Sequence, residues 1–195
     1  MVLTVKDLLI GYNSSSPVAG PLSLELDKGE LVLLQGPNGS GKTTFLKTVA
    51  GLVRPLGGSI LSEKAMLLPT RIPKVRGFSS VEFICSFLGF AAAGGPANQD
   101  AAMETLKTLG VEELAAADIA SLSDGQFQKI CLCAALASGR TLLLLDEPTA
   151  FLDAPSRLSL METLRSITSE TGVTVIFSSH DIAACRPYCS RTVSF

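Results

Sequence analysis

Gly36-Pro37-Asn38-Gly39-Ser40-Gly41-Lys42-Thr43 fits the pattern G-x-x-x-x-G-K-[ST] at every fixed position. Residue types at this spacing suit one piece of chemistry, the cradling of a chain of phosphates. Glycines let backbone N–H groups converge on phosphate oxygens without interference from a Cβ. A helix starting where the loop ends adds partial positive charge. Lys42 supplies a point charge for the terminal phosphates, and the Thr43 hydroxyl suits Mg²⁺. A second constellation is LLLLDEP at 142–148, an apolar run ending in two acids. At the carboxyl end of a strand in an open parallel sheet, Asp146 would stand beside the phosphate loop and hold Mg²⁺ through water. Glu147, one residue further out, could polarise an attacking water. His180, the only histidine, follows the apolar stretch 173–178 and could donate to a terminal phosphate or orient that water. Alone, strand-end acids or a single imidazole are ordinary surface groups; beside a phosphate loop the functional reading prevails.

The elements that must position these groups are legible in outline. Residues 2–10 partly alternate and read as a strand, and 22–26 (LSLEL) read as a half-buried strand. Residues 30–35 (ELVLLQ) read as a buried strand leading straight into the glycine-rich loop, with a helix over about 41–51 after it. The runs at 141–146 and 173–178 have the same continuous apolar character, expected of strands covered on both faces, as in a parallel sheet. Each follows a helix-like stretch, so strands and helices alternate. The middle differs. Residues 79–90 and 97–109 carry apolar residues at helical spacing with no strand between them, separated by Gly94-Gly95-Pro96. This predicts a helical lobe over about 70–120, after which the α/β core resumes with a helix over 125–137.

Composition bounds the rest. In 195 residues, 47% are hydrophobic and 17% charged, against an average near 25% charged, which excludes intrinsic disorder. With 16 Lys+Arg against 18 Asp+Glu, the basic balance of an electrostatic nucleic-acid binder is missing, so no nucleic acid is expected as partner. No apolar run reaches the roughly 20 residues that span a bilayer, and the start of the chain lacks the pattern of a signal peptide. A soluble cytosolic chain is the expectation, and its low charge points to surface covered by a partner. The five cysteines, Cys85, Cys131, Cys133, Cys185 and Cys189, are read as reduced thiols packing as small hydrophobes; their spacings do not suit zinc.

Together these residues resemble the ATP-binding subunit of ATP-binding-cassette (ABC) transporters, over essentially the whole chain. The Walker A loop is 36–44, which adds Thr44 to the nucleotide-binding set. The signature motif, LSGGQ in most members, appears as Leu122-Ser123-Asp124-Gly125-Gln126. Walker B is 142–146, Glu147 matches the catalytic glutamate, Asp153 closes the D-loop and His180 matches the switch histidine. Tyr12 sits where members place an aromatic that stacks on adenine. The resemblance implies an α/β fold: a P-loop NTPase (RecA-like) core with a mostly parallel sheet, an N-terminal antiparallel β subdomain and a small inserted helical subdomain. It implies a single ABC ATPase domain over 1–195, with 1–69 and 121–195 as core and 70–120 as the helical subdomain. The variants LSDGQ and TAFLD resemble the branch importing iron–siderophore complexes, haem or cobalamin. Three departures stand out. Thr70 occupies the place of the glutamine that members carry after this strand, with a much shorter reach. Ala134 stands where an arginine is frequent. The chain is also shorter than typical members, chiefly in the helical lobe and at the C-terminus.

The resemblance further implies ATP and Mg²⁺ as cofactors and a head-to-tail dimer with an identical or homologous second ABC ATPase subunit. Each nucleotide would lie between the Walker A loop of one chain and Ser123, Asp124, Gly125 and Gln126 of the other. Transmembrane permease subunits would dock near 70–90, where Arg71, Lys74 and Arg76 are either docking charges or a solvated loop. The expected place is cytoplasmic, peripheral on the inner face of the inner membrane through that permease. Two other readings stay open: a soluble ABC-type ATPase of an assembly, division or nucleic-acid machine, and a weakly hydrolysing nucleotide switch. Thr70 leads to the expectation of slow hydrolysis that Thr70→Gln would speed.

Overall fold

The computed structural model describes residues 1–13, 15–89 and 96–195, and of residues 89, 96 and 97 the backbone alone. Ser14 and the expected Gly94-Gly95 separator lie outside the described residues. In chain order the elements are β1 (Leu3–Ile10), β2 (Ala19–Leu26), β3 (Leu31–Gln35), α1 (Lys42–Val49), β4 (Gly57–Ser62) and β5 (Ala65–Leu68). There follow α2 (Ser80–Gly89), α3 (Pro96–Thr108), α4 (Asp124–Ala137), β6 (Leu142–Leu145), α5 (Ala154–Thr171), β7 (Thr174–Ser178), α6 (Ile182–Cys185) and β8 (Arg191–Ser194). Among the described residues, no helix is long and apolar enough to cross a membrane.

The chain divides into two compact units. One comprises Met1–Thr70, Thr141–Ala150 and Met161–Phe195, the other Arg71–Arg140 and Phe151–Leu160. The first is built on a five-stranded sheet in the order β5-β6-β7-β3-β8, with every neighbouring pair parallel. Leucine favours helices, yet Leu142–Leu145 form a strand. Four residues are too few for a stable helix, and all four are fully buried. β6, β7 and β3 are neighbours running the same way, so the loops at their carboxyl ends meet at one edge. These loops carry residues 36–41, 146–147 and 179–180.

A three-stranded antiparallel sheet in the order β2-β1-β4 belongs to the same unit. β1 buries Leu3 and Val5, then Leu8 and Ile10, so its inward face changes phase midway. The change is made by a bulge at Asp7, whose φ is 48°, where the register with both partners shifts. Gly58 lies against it on β4: a Cβ there would stand 2.4 Å from the Lys6 and Asp7 carbonyl oxygens, so only glycine fits. Leu8, Ile10, Leu26, Val32, Leu34, Phe45, Leu46, Leu142, Leu144 and Ile176 form one buried cluster joining this sheet, the parallel sheet and α1.

The second unit is helical. Its central helix, α4, buries Phe127, Ile130, Cys131, Leu132, Cys133, Ala134 and Ala135, residues that lie all round the helix. Phe83 on α2 sits 5.4 Å from the Phe127 ring and 5.0 Å from Phe87. α4, expected where the core resumes, packs with α2 and α3 in this unit. Burial pushes the thiols of Cys131 and Cys133 up to about 12, so both remain protonated. Asp118 accepts hydrogen bonds from the Gly77 and Ala120 N–H groups, which hold its carboxyl below the usual range and tie 77–79 to the approach to α4.

Candidate nucleotide site

The phosphate loop follows from local geometry. β3 ends at Gln35, and Gly36, Gly39 and Gly41 adopt φ of 154°, 79° and 105°. Gly41 serves as the cap of α1, and a Cβ added at Gly39 would meet no atom within 4 Å. The loop thus stays open on the side a phosphate chain would occupy. Lys42 is only 5% exposed, and its ammonium donates to the carbonyls of Gly36 at 2.7 Å and Pro37 at 3.0 Å. Ser40 Oγ is buried without a hydrogen-bond partner among the described residues. A buried hydroxyl without a partner in a glycine-rich loop is a group that a phosphate oxygen would satisfy.

The Asp146 carboxylate collects hydroxyls from three elements. Thr43 Oγ1 lies 2.9 Å and 3.1 Å from its two oxygens, Ser178 Oγ donates at 2.9 Å and Thr70 Oγ1 donates at 3.1 Å. The Asp146 N–H donates to the Leu68 carbonyl at 3.0 Å, which fixes the backbone beneath it. A set of hard oxygen donors, one of them a carboxylate, fits Mg²⁺. Glu147 has a φ of 52°, a left-handed conformation that a non-glycine residue adopts only when its surroundings hold it there. Ser178 does so: its hydroxyl accepts the Glu147 N–H at 2.9 Å while donating to Asp146. Glu147 Oε1 is in direct contact with His180 Nε2. His180 is held in turn by its neighbours, since Ser179 Oγ meets Thr149 Oγ1 at 3.2 Å and Asp181 caps α6 through the Ala184 N–H.

Residues 38–44, Glu147, His180 and Val18 line one cavity of about 310 Å³. The structure therefore brings together most of the phosphate-loop residues and both expected acid–base groups, with Asp146 bonded to Thr43 at the same place. Tyr12 is 68% exposed and is not among the residues lining the cavity. The sequence marks Thr70 as the residue in place of a glutamine but not its bond to Asp146, and it singles out neither Val18 nor Ser178. Ser178 carried a readable signal, a polar residue ending an apolar strand two positions before His180.

In the helical unit, Ser123, Gly125, Gln126, Lys129 and Ser156 line a separate cavity of about 390 Å³. Ser123 caps α4 by accepting the Gln126 N–H at 3.2 Å, and Gln126 Oε1 accepts the Ser123 N–H at 3.0 Å. This capping box gives two of the signature positions a structural cause of their own. A Cβ on Gly125 would come within 3.0 Å of Ser156 Oγ. Asp153 accepts the Ser156 N–H at 3.0 Å; bonds to Ser156 hold its carboxyl below the usual range. Of the three cations read as docking charges or a solvated loop, two make contacts within this unit: the Arg71 guanidinium stands 4.7 Å from the Phe151 ring centroid and Lys74 pairs with Asp124 at 2.7 Å, while Arg76 is exposed.

Comparison with known proteins accords with this geometry. The family model described as ABC transporter matches residues 19–150. The zinc import ATP-binding protein ZnuC of Jannaschia sp. (strain CCS1) is 30% identical over 193 residues, covering 98% of this chain and 78% of that protein. The achromobactin transport ATP-binding protein CbrD of Dickeya dadantii (strain 3937) is 30% identical over 204 residues, covering 94% and 75%. Among solved structures, a metal-chelate type ABC transporter in an inward-facing conformation superposes with a TM-score of 0.91 at 27% identity, covering 99% of this chain and 78% of that one. A dimeric ATP-binding cassette in a post-hydrolysis state, bound to ADP and Pi, superposes with a TM-score of 0.80 at 25% identity, covering 100% and 94%. The parallel sheet, the phosphate loop and these matches agree, and the chain belongs to the ABC transporter family as one of its ATP-binding, ATP-hydrolysing cassettes.

Proposed function

We propose that this chain hydrolyses ATP at the interface of a head-to-tail dimer and so energises a membrane complex that imports a small solute. The observation that carries this reading is the convergence at one strand edge of the phosphate loop, the Asp146 carboxylate and the Glu147–His180 pair. Residues 36–44 hold the phosphates, with the Lys42 ammonium leaving the Gly36 and Pro37 carbonyls for the terminal phosphates. Thr43 and Asp146 hold Mg²⁺, which when bound neutralises charge on the β- and γ-phosphates. His180 occupies Glu147 Oε1 and fixes the carboxylate, so the second oxygen takes the proton of the attacking water. Ser123, Asp124, Gly125 and Gln126 face the nucleotide of the opposite chain, whose phosphates meet the N-terminus of α4. Asp153 orders the loop before α5, and Tyr12, exposed at the surface, closes on adenine. The relatives carry the names of zinc, achromobactin and phosphonate transporters, so the cargo belongs to this range of small solutes. The partners are permease subunits and a second cassette, with the chain held on the inner face of the membrane.

The test is recovery of the tagged chain from its own cells. It is expected in the membrane fraction, and in detergent together with an integral membrane protein. Recovery wholly in the soluble fraction, with hydrolysis undiminished, contradicts the transport role and favours a soluble ATPase.

Thr70 gives a second test. Its hydroxyl reaches Asp146 directly at 3.1 Å, without a water between. Thr70→Val keeps the shape and removes the donor, so the Mg²⁺ concentration for half-maximal hydrolysis should rise about three- to tenfold, the scale of one ordinary net hydrogen bond. Thr70→Gln restores reach toward the metal and water and should raise turnover. An unchanged Mg²⁺ dependence in Thr70→Val would show that the hydroxyl does not position the carboxylate.

A further inference from the structure

Lys74 lies in the irregular stretch before α2, and its ammonium is aimed at the start of α4. It donates to the Leu122 carbonyl at 2.8 Å and to Asp124 Oδ1 at 2.7 Å, and stands 5.5 Å from the Phe127 ring centroid. The lysine side chain is 26% exposed and the aspartate 62%. Leu122 immediately precedes the capping Ser123, and Asp124 is the first residue of the helix. Lys74 therefore grips both sides of the segment that the proposed function sets against the phosphates of a second chain.

Each of these two charges is misplaced without the other. A cation beside a helix N-terminus is opposed by the partial positive charge there. A carboxylate at the first helical position suits the helix but repels a polyphosphate brought to that same end. Most members of the family carry a glycine here and have no such conflict. In this chain the ammonium cancels the carboxylate, and the bond to the Leu122 carbonyl fixes the ammonium in place. We infer that Lys74 is a positioning residue for nucleotide capture: it neutralises Asp124, so that the Ser123–Gly125 segment meets the phosphates without net negative charge. This rests on the dimer reading above, in which that segment faces nucleotide held by the opposite chain. Lys74 touches no reacting atom; it acts through Asp124 and Leu122.

The test is steady-state ATP hydrolysis by the full chain as a function of ATP concentration at saturating Mg²⁺. Lys74→Met should raise half-saturating ATP about three- to tenfold, the scale of one uncompensated charge near a phosphate at the protein surface, with turnover at saturation largely kept. Adding Asp124→Asn to it should return the half-saturating concentration to within about twofold of wild type, a rescue that a merely structural role for Lys74 does not produce. An unchanged half-saturation in Lys74→Met overturns the assignment, and so does a double variant as impaired as the single one. Binding of a fluorescent ATP analogue to the lone chain reads its own phosphate loop and should be equal in wild type and Lys74→Met. Loss of that binding also overturns the assignment, by placing the effect on folding or on the loop itself. Ser123→Arg separates the two levels. It should abolish hydrolysis by blocking the same segment, and wild-type hydrolysis by that variant contradicts the dimer reading whatever Lys74 does.

Discussion

Glu147→Gln is expected to lower ATP turnover by about two to four orders of magnitude, the usual contribution of a positioned general base, while nucleotide remains bound. The substitution is close to isosteric. The amide oxygen can still accept from His180, and the backbone keeps its left-handed conformation because the Ser178 hydroxyl still receives the residue 147 N–H. Asp146 keeps its own three hydroxyl donors, from Thr43, Ser178 and Thr70, so the metal site is untouched. Only the capacity to take a proton from water is lost. Phosphate release at saturating ATP measures it, and turnover within tenfold of wild type would remove Glu147 from the chemistry.

Lys42→Ala is expected to weaken ATP binding by about a hundredfold or more, the sum of two charge-assisted bonds to phosphate at roughly 1.5–3 kcal/mol each. The ammonium is nearly buried and bonded to the carbonyls of Gly36 and Pro37, so its removal also takes a charged donor from both; the Pro37 carbonyl keeps the Ser40 N–H at 3.3 Å. Lys42→Arg should not rescue, because a planar guanidinium does not fit the place of a compact ammonium. Calorimetric titration with ATP and Mg²⁺ reads the affinity directly. Equal affinity in wild type and Lys42→Ala would contradict the phosphate-loop assignment.

Much of the fold was legible because burial on both faces leaves a plain mark. ELVLLQ, TLLLLD and VTVIFS are continuous apolar runs, and the strands β3, β6 and β7 lie inside them. β4 is not legible in the same way. GGSILS owes its strand to pairing with β1 across the bulge at Asp7, a tertiary cause that leaves no local pattern. The packing of α4 with α2 and α3 has a similar origin. Its Phe127, Ile130 and Cys133 read as a buried helix, but no spacing says which neighbours bury it. The phosphate loop and its acids could be read from residue type and spacing. The hydroxyl contacts that aim Asp146 could not, because Thr70 and Ser178 reach it across 76 and 32 residues of sequence, and neither could the grip of Lys74 on Asp124, 50 residues away. The signature segment shows the reverse case: Ser123 and Gln126 announce a helix cap as clearly as a nucleotide contact.

The composite site, with the phosphate loop from one chain and the start of α4 from another, is tested most directly by the mass of the Glu147→Gln protein in solution. ATP that is bound but not cleaved stabilises whichever state contacts it from both sides. Light scattering on a size-exclusion column should therefore give the mass of one chain without nucleotide, and twice that mass with ATP and Mg²⁺. The shift should be lost when Lys42→Ala is added. A Glu147→Gln chain that stays at the mass of one copy under saturating ATP, alone and with any second cassette recovered beside it, contradicts the shared site.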